Sequence, residues 1–246
     1  MLVAIYNAWD FEHLRKSVDN IKQCVDQVII VWSRYSNFGV VGTFNPDLFK
    51  DCVCVQHEPR GGAAYQKEMA KRNYGLERAR KMKADYFIMM DCDEFYHPDE
   101  VTKWYSYIKK KNLAGLVCKT KVYFKEPTLT IGDDTTYVTF IHKVNHKLRF
   151  NGNNNYPFTK VDDIIRIDPT RRLNINTGVE LVDCYMHHYS WVRQDYQTKA
   201  FNSTARNAIL KSIHGSQGMM SEIKQAETNP RHSTRTPWMI LKHPSK

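Results

Sequence analysis

The stretch Tyr86-Phe87-Ile88-Met89-Met90-Asp91-Cys92-Asp93-Glu94-Phe95 decides the fold. Five apolar or aromatic side chains in a row have the length of a strand and the character of a buried one, and three carboxylates follow where it emerges. In open α/β sheets, ligands bind beyond the carboxyl ends of the strands. Asp91 and Asp93 are two positions apart, so in a fully extended chain they share a face. Two carboxylates held together repel, and they are best tolerated with a divalent cation between them and a phosphate. The competing reading is structural: acids that end a strand and precede a helix begun at His97-Pro98-Asp99-Glu100.

Working outward, residues 2–6, 25–32 and 52–56 read as further strands. Residues 11–23 carry Phe11, Leu14, Val18 and Ile21 at helical spacing. Residues 68–83 set basic side chains among Met69, Tyr74, Leu76 and Ala79, and Val101, Trp104 and Ile108 continue the helix that starts near Pro98. Strands alternating with helices predict an α/β fold with a mostly parallel central sheet flanked by helices. From residue 116 the pattern turns β-rich, at 116–124, 137–144, 164–167 and 181–189. It returns to helix over 195–213, with Phe201, Ala205, Ile209 and Ile213 on one face. The expected organisation is one domain over 1–213, with halves 1–96 and 97–190, followed by a tail at 214–246.

Lys and Arg number 36 against 26 Asp and Glu among 246 residues, a formal charge of +10 that favours an anionic partner. Hydrophobic residues at 42% and charged ones at 25% exclude a disordered or coiled-coil chain. No apolar segment approaches the ~20 residues of a membrane-spanning helix, and the first residues lack the basic region of a signal peptide. The expectation is a chain with no integral membrane segment, kept in a cytoplasm, a host's if it is virus-encoded. Cys24, Cys52, Cys54, Cys92, Cys118 and Cys184 form no CxxC pair and read as reduced thiols.

Several chemistries drop out. Gly61-Gly62 is too sparse for a phosphate-cradling loop, and no GxxxxGK[ST] occurs. Phe95 stands where a phosphatase of the haloacid dehalogenase type carries Thr or Val, and where a calcium loop would need an oxygen ligand.

The run Lys71-Arg72-Asn73-Tyr74-Gly75-Leu76-Glu77-Arg78-Ala79, followed by Asp85 and the strand ending in Asp91-Cys92-Asp93, resembles the core of family 2-like glycosyltransferases with the GT-A fold. Ile5-Tyr6-Asn7 looks like the end of their first strand, and Val25-Asp26-Gln27-Val28-Ile29-Ile30-Val31-Trp32 like their second. His187-His188-Tyr189-Ser190-Trp191-Val192-Arg193, with Lys199 beyond it, resembles their His-containing C-terminal motif. The resemblance covers roughly residues 2 to 200. One departure is that Trp32-Ser33-Arg34 stands where the second strand usually ends in an acid, so an aromatic stack by Trp32 would replace that contact.

The resemblance implies a nucleotide-diphospho-sugar donor and a Mn²⁺ or Mg²⁺ cofactor. The 1–96 half would take the donor and the 97–190 half the acceptor. Asp93 would bind the metal, Asp91 the ribose or the metal's water shell, and His187 or His188 the metal or diphosphate. Residues 181–189, if extended, point the two histidines to opposite faces, so one of them enters the site, with His188 preferred. Arg193 and Lys199 would clamp the diphosphate. Arg72 and Asn73 would face the nucleotide, and Asn7 and Asp10 would meet base or ribose, although a helix N-cap explains Asp10 equally well. An inverting transfer needs a base for the acceptor hydroxyl. Asp162 and Asp163 are the candidates, with Asp133 and Asp134 nearby, and turn acids are the other reading.

Three readings of the biological role compete. The enzyme could glycosylate hydroxymethylated bases in DNA, as virus-encoded glycosyltransferases do, or extend a cell-surface or lipid-linked glycan precursor. The third reading is a non-catalytic nucleic-acid-binding protein on this scaffold. Lys119, Lys121, Lys125, Lys143, Lys147, Arg149, Lys160, Arg166, Arg171 and Arg172 alternate with Tyr123, Phe124, Tyr137, Phe140, Phe150, Tyr156 and Phe158. That mixture suits phosphate contacts plus base stacking, which favours DNA, and it equally suits a β-rich face with solvated lysines.

Overall fold

The structure is a computed structural model, and it describes residues 1–130, 136–193, 231–233 and 236–240. Four parallel strands make its centre: β1 (Leu2–Ala8), β2 (Gln27–Trp32), β3 (Val53–Gln56) and β4 (Tyr86–Asp91). β1 lies between β2 and β4, with Asn7 opposite both Val31 and Asp91, so the carboxyl ends of these strands are level.

The faces of the strands alternate. Leu2, Ala4, Tyr6, Ile88 and Met90 pack on one side against Leu14, Val18 and Ile21 of α1 (Leu14–Ile21) and Val101 and Ile108 of α3 (Pro98–Lys111). Val3, Ile5, Phe87 and Met89 pack on the other against Leu76 and Ala79 of α2 (Ala64–Lys81). Burial on both faces is why these strands read as unbroken apolar runs. Each large side chain fully withdrawn from water contributes about 1.5–3 kcal/mol.

Beyond β4 the sheet changes direction. A short β5 (Glu94–Phe95) follows at once, then β6 (Gly115–Phe124), β7 (Leu129–Thr130) and β8 (Tyr137–Lys143). β8 runs antiparallel between β4 and β6. A hairpin of β9 (Lys160–Val161) and β10 (Ile164–Ile165) stands apart from the main sheet. The long β11 (Val179–Trp191) pairs parallel with β6 and antiparallel with β5, and β12 (Arg231–His232) adds to β7. The parallel sheet expected from the sequence is therefore the first half of a mixed sheet. β4 and β8 are direct neighbours, so residues on either side of 96 share one sheet.

Where helix was expected over 195–213, the residues lie outside those described. The strand expected over 164–167 is shorter, and Ile167 makes only an isolated bridge to Tyr137. Among the described residues no helix is long and apolar enough to cross a membrane.

Candidate active site

Asp91 is the last residue of β4, and Cys92-Asp93 turns the chain back into β5. The turn overrides the extended geometry read from the sequence: Asp91 and Asp93 do not share a strand face but meet different partners. α1 fixes the returning strand, with Ser17 Oγ donating to the Glu94 carbonyl at 2.5 Å and Asn20 Oδ1 accepting from the Tyr96 amide at 3.1 Å.

Asp91 Oδ2 accepts from Arg171 at 2.6 Å and from Arg72 at 3.2 Å. Arg171 also pairs with Glu94, whose other carboxylate oxygen accepts the Asp91 amide at 3.0 Å. Arg72 is completely buried and pairs with Glu68 one helical turn earlier at 2.5 Å, while Thr170 donates to the same Glu68 oxygen. Burial opposes the charge on both arginines, yet the carboxylates around them outweigh it and hold both above the ordinary guanidinium value. Burial also pushes the Glu94 carboxyl above its usual range, with Arg171 pulling the other way.

Asp93, 1% exposed, forms the second node. Its Oδ2 accepts from Arg193 Nη2 at 2.9 Å and from Ser190 Oγ at 2.7 Å, and its Oδ1 lies 3.5 Å from His188 Nε2. The Asp93 carbonyl accepts the Tyr189 amide at 2.9 Å, so β11 delivers Ser190, His188 and Arg193 together. Ser190 Oγ is also 2.7 Å from His188 Nε2. Arg193 reaches on to Asp10, and the carboxylates, with Asp93 foremost, hold its guanidinium charged against burial.

The residues singled out from the sequence separate into two groups. Asp91, Asp93, Arg72, Arg193, Asp10 and His188 converge on one place. Asn7 abuts it through its register with Asp91, its buried Oδ1 without a hydrogen-bond partner among the described residues. Asp10 is not the cap of α1, whose N-cap is His13.

His187 turns away, its Nδ1 2.7 Å from Tyr123 Oη and its ring edge-on to His97, because neighbouring residues of a strand face opposite sides. Asn73 commits both amide atoms to the backbone of Phe150, at 2.9 and 2.8 Å, and so fastens α2 to the second half of the chain. Trp32 ends β2 half-buried, its ring 5.1 Å from that of Phe44. Asp162 and Asp163 are the exposed central residues of the β9–β10 turn, at φ 50° and 59°. Among the described residues neither bonds to the carboxylate cluster, and the turn accounts for both. Lys199, Asp133 and Asp134 lie outside the described residues.

Sequence reasoning did not single out Glu68, Glu94, Thr170 or Ser190, and placed Arg171 only among surface cations. Tyr123, Phe124, Phe140, Phe150 and Tyr156 are core residues, and Arg172 is buried with its guanidinium on the Ile167 carbonyl, so these side chains offer nothing for base stacking or phosphate contact.

Among the described residues no group of three or more His, Cys, Asp or Glu side chains could enclose a metal by itself. Asp93 with the 30% exposed His188 is a two-donor set, and that suits a cation that completes its shell with substrate phosphates and water. Around the site Arg72, Arg171, Arg193 and Lys71 face Glu68, Asp91, Glu94, Asp93, Asp10 and Glu12, an excess of two negative charges.

A family profile described as Glycosyl transferase family 2 matches residues 49–171, half of the chain, and includes the Arg72, Asp91, Asp93 and Arg171 positions. No curated protein matches by sequence. Among solved structures, S. aureus TarS is similar at 12% identity, over 89% of this chain and 44% of that one, with a TM-score of 0.46. Its 1–349 fragment in complex with UDP-GlcNAc is 12% identical, over 79% and 59%, with a TM-score of 0.46. Rv0371c from Mycobacterium tuberculosis H37Rv is 17% identical, over 48% and 64%, with a TM-score of 0.31. The chain thus spans less than half the length of the TarS chain. By the extent of the family match, and with the strand-end acids inside it, the chain belongs to glycosyl transferase family 2: it is a glycosyltransferase domain of the α/β, GT-A type.

Proposed function

We propose that the chain is a metal-dependent transferase that moves a sugar from a nucleotide-diphospho-sugar to a hydroxyl on hydroxymethylated DNA. The observation that carries the metal dependence is the negative excess at the strand ends. A diphosphate brought to that place meets repulsion unless a cation comes with it. Asp93 and His188 would hold Mn²⁺ or Mg²⁺, and the imidazole in the set favours Mn²⁺. The bound cation would neutralise charge that develops on the departing diphosphate.

The chain's own residues set the geometry. Arg193 and Ser190 orient Asp93, and Arg171 and Arg72 fix Asp91 at the end of β4. Arg72 Nε and Nη1, buried and without hydrogen-bond partners among the described residues, are donors available to an anionic group entering there.

The acceptor reading rests on charge. The chain carries +10, and Lys125, Lys143, Lys147, Arg149 and Lys160 of its second half are exposed. The test is transfer from UDP-, GDP- and TDP-sugars with Mn²⁺, to hydroxymethylcytosine duplexes and to simple glycans, for the wild type and Asp93→Ala. Metal-dependent transfer to the duplex, lost in the variant, is the expected result. Transfer to carbohydrate alone would reject the DNA acceptor, and silence with every donor would reject the enzyme.

A further inference from the structure

At the opposite end of the central strands an open cavity of about 490 Å³ is lined by Arg80, His146, Lys147, Leu148, Arg149 and Asn174. It lies beside the amino end of β4, where Val144 donates to the Asp85 carbonyl at 2.8 Å. The carboxylate cluster is a strand length away, about 17 Å at 3.4 Å per residue.

The loop of residues 145–149 is built rather than slack. Asn145 Oδ1 accepts the Lys147 amide at 2.9 Å, Asn174 Oδ1 accepts the Arg149 amide at 2.7 Å, and Asn174 Nδ2 donates to the Lys147 carbonyl at 2.9 Å. Arg80, half-buried in the last turn of α2, donates through Nε to the Asn145 carbonyl at 2.9 Å and through Nη2 to the Leu148 carbonyl. The backbone groups of the loop are thus held by protein partners while its cationic side chains point outward. Among the described residues none of Arg80, Lys147 and Arg149 makes an ion pair. The carboxylate that acts on Arg80, Glu77, is itself paired with Lys81 at 2.7 Å. Holding three like charges around one hollow costs energy unless an anion comes to it.

We propose that this pocket is a second anion site, seating a phosphodiester of the acceptor DNA strand. It sits along the same helix that reaches the donor site: Arg80 is eight residues from Arg72, about 12 Å along α2. The anion chemistry comes from the pocket, while the identity of the phosphate carrier rests on the DNA reading above.

The test compares wild type with the double variant Lys147→Gln/Arg149→Gln, whose positions are exposed. A second double variant, Lys110→Gln/Lys111→Gln on α3, removes the same charge elsewhere. Fluorescence anisotropy with a labelled hydroxymethylcytosine duplex is read across a salt series, alongside sugar transfer to that duplex and acceptor-free hydrolysis of the nucleotide sugar. The expected result is DNA binding weakened at least tenfold in the pocket variant, a salt slope shallower by about one to two, and unchanged hydrolysis. The α3 variant should stay within about twofold of wild type. Equal loss in both double variants would overturn the pocket in favour of diffuse charge. Wild type that modifies DNA alongside a pocket variant of unaltered affinity would overturn the pocket alone, and wild type that neither binds nor modifies DNA would overturn both the pocket's ligand and the acceptor reading.

Discussion

Arg193 donates through Nη2 to Asp93 Oδ2 at 2.9 Å, joining two nearly buried side chains that lie 100 residues apart in the chain. Removing Arg193 would strip the buried Asp93 carboxylate of its guanidinium, which costs far more than forming the pair contributes, whereas Arg193 without Asp93 still has Asp10. The pair therefore constrains where Asp93 points, and the carboxylate needs that constraint if it is to present its other oxygen beside His188.

Asp93→Asn keeps the size of the side chain and removes its charge. Metal-dependent transfer should fall by roughly 10²–10³-fold, the scale seen when one electrostatic contact to a developing charge is lost. A transfer assay over a Mn²⁺ titration reads it, and a thermal melt confirms that the variant folds.

Ser190→Ala removes the hydroxyl that lies 2.7 Å from both Asp93 Oδ2 and His188 Nε2. Groups that orient metal ligands in this way are worth roughly 10–100-fold in metal affinity. The half-saturating Mn²⁺ concentration should rise by that factor while transfer at saturating Mn²⁺ changes much less. A fall in saturated rate with no change in metal dependence would contradict the assignment.

Arg171→Met strips the shared partner from Asp91 and Glu94. Stability should drop by about 3–5 kcal/mol at pH 7, measured by urea unfolding. With the arginine gone, nothing offsets the burial that already raises the Glu94 carboxyl, so the folded state holds that proton still more tightly than the unfolded chain does. The deficit is then largest above the ordinary carboxylate range and shrinks as pH falls toward it.

Gly75→Ala tests the seat of α2. A Cβ there would overlap the Ile5 methyl and lie 3.0 Å from a Val31 methyl. Alanine favours the helix by about 1 kcal/mol, yet overpacking of about 1–3 kcal/mol should prevail, and the urea midpoint should fall.

His142 is buried with Nε2 2.6 Å from Tyr156 Oη, and burial holds its pKa down at about 3. The unfolded chain takes up this proton near pH 6.5 while the folded one refuses it until about pH 3, so stability is fully present above 6.5 and is lost as pH falls between those values. Urea midpoints at pH 7 and pH 5 should differ, and His142→Asn should narrow the gap.

What was legible in the sequence was what depends on near neighbours. The apolar run ending at Met90, the helix through Leu76 and Ala79, and the opposite facing of His187 and His188 all follow from local period. The pairings of Asp91 with Arg171 and of Asp93 with Arg193 do not, because a cation 80 or 100 residues away carries no local mark of its partner. Arg171 and Arg172 looked like surface charge for the same reason. Asp162 and Asp163 looked like acids in want of a role, although two adjacent residues at positive φ already have one in shaping a turn. The tight reversal at Cys92-Asp93 also escaped, since strict alternation cannot anticipate where a strand stops.

The two guanidinium groups that balance Asp91, Glu94 and Asp93 come from residues 171 and 193, long after the strand-end acids themselves. A nascent chain that has emerged only as far as residue 170 would own every acid of the motif and neither of these counter-charges. During synthesis the carboxylate cluster is thus finished only after residue 193 has emerged, and a truncated product would display the motif without its counter-charges.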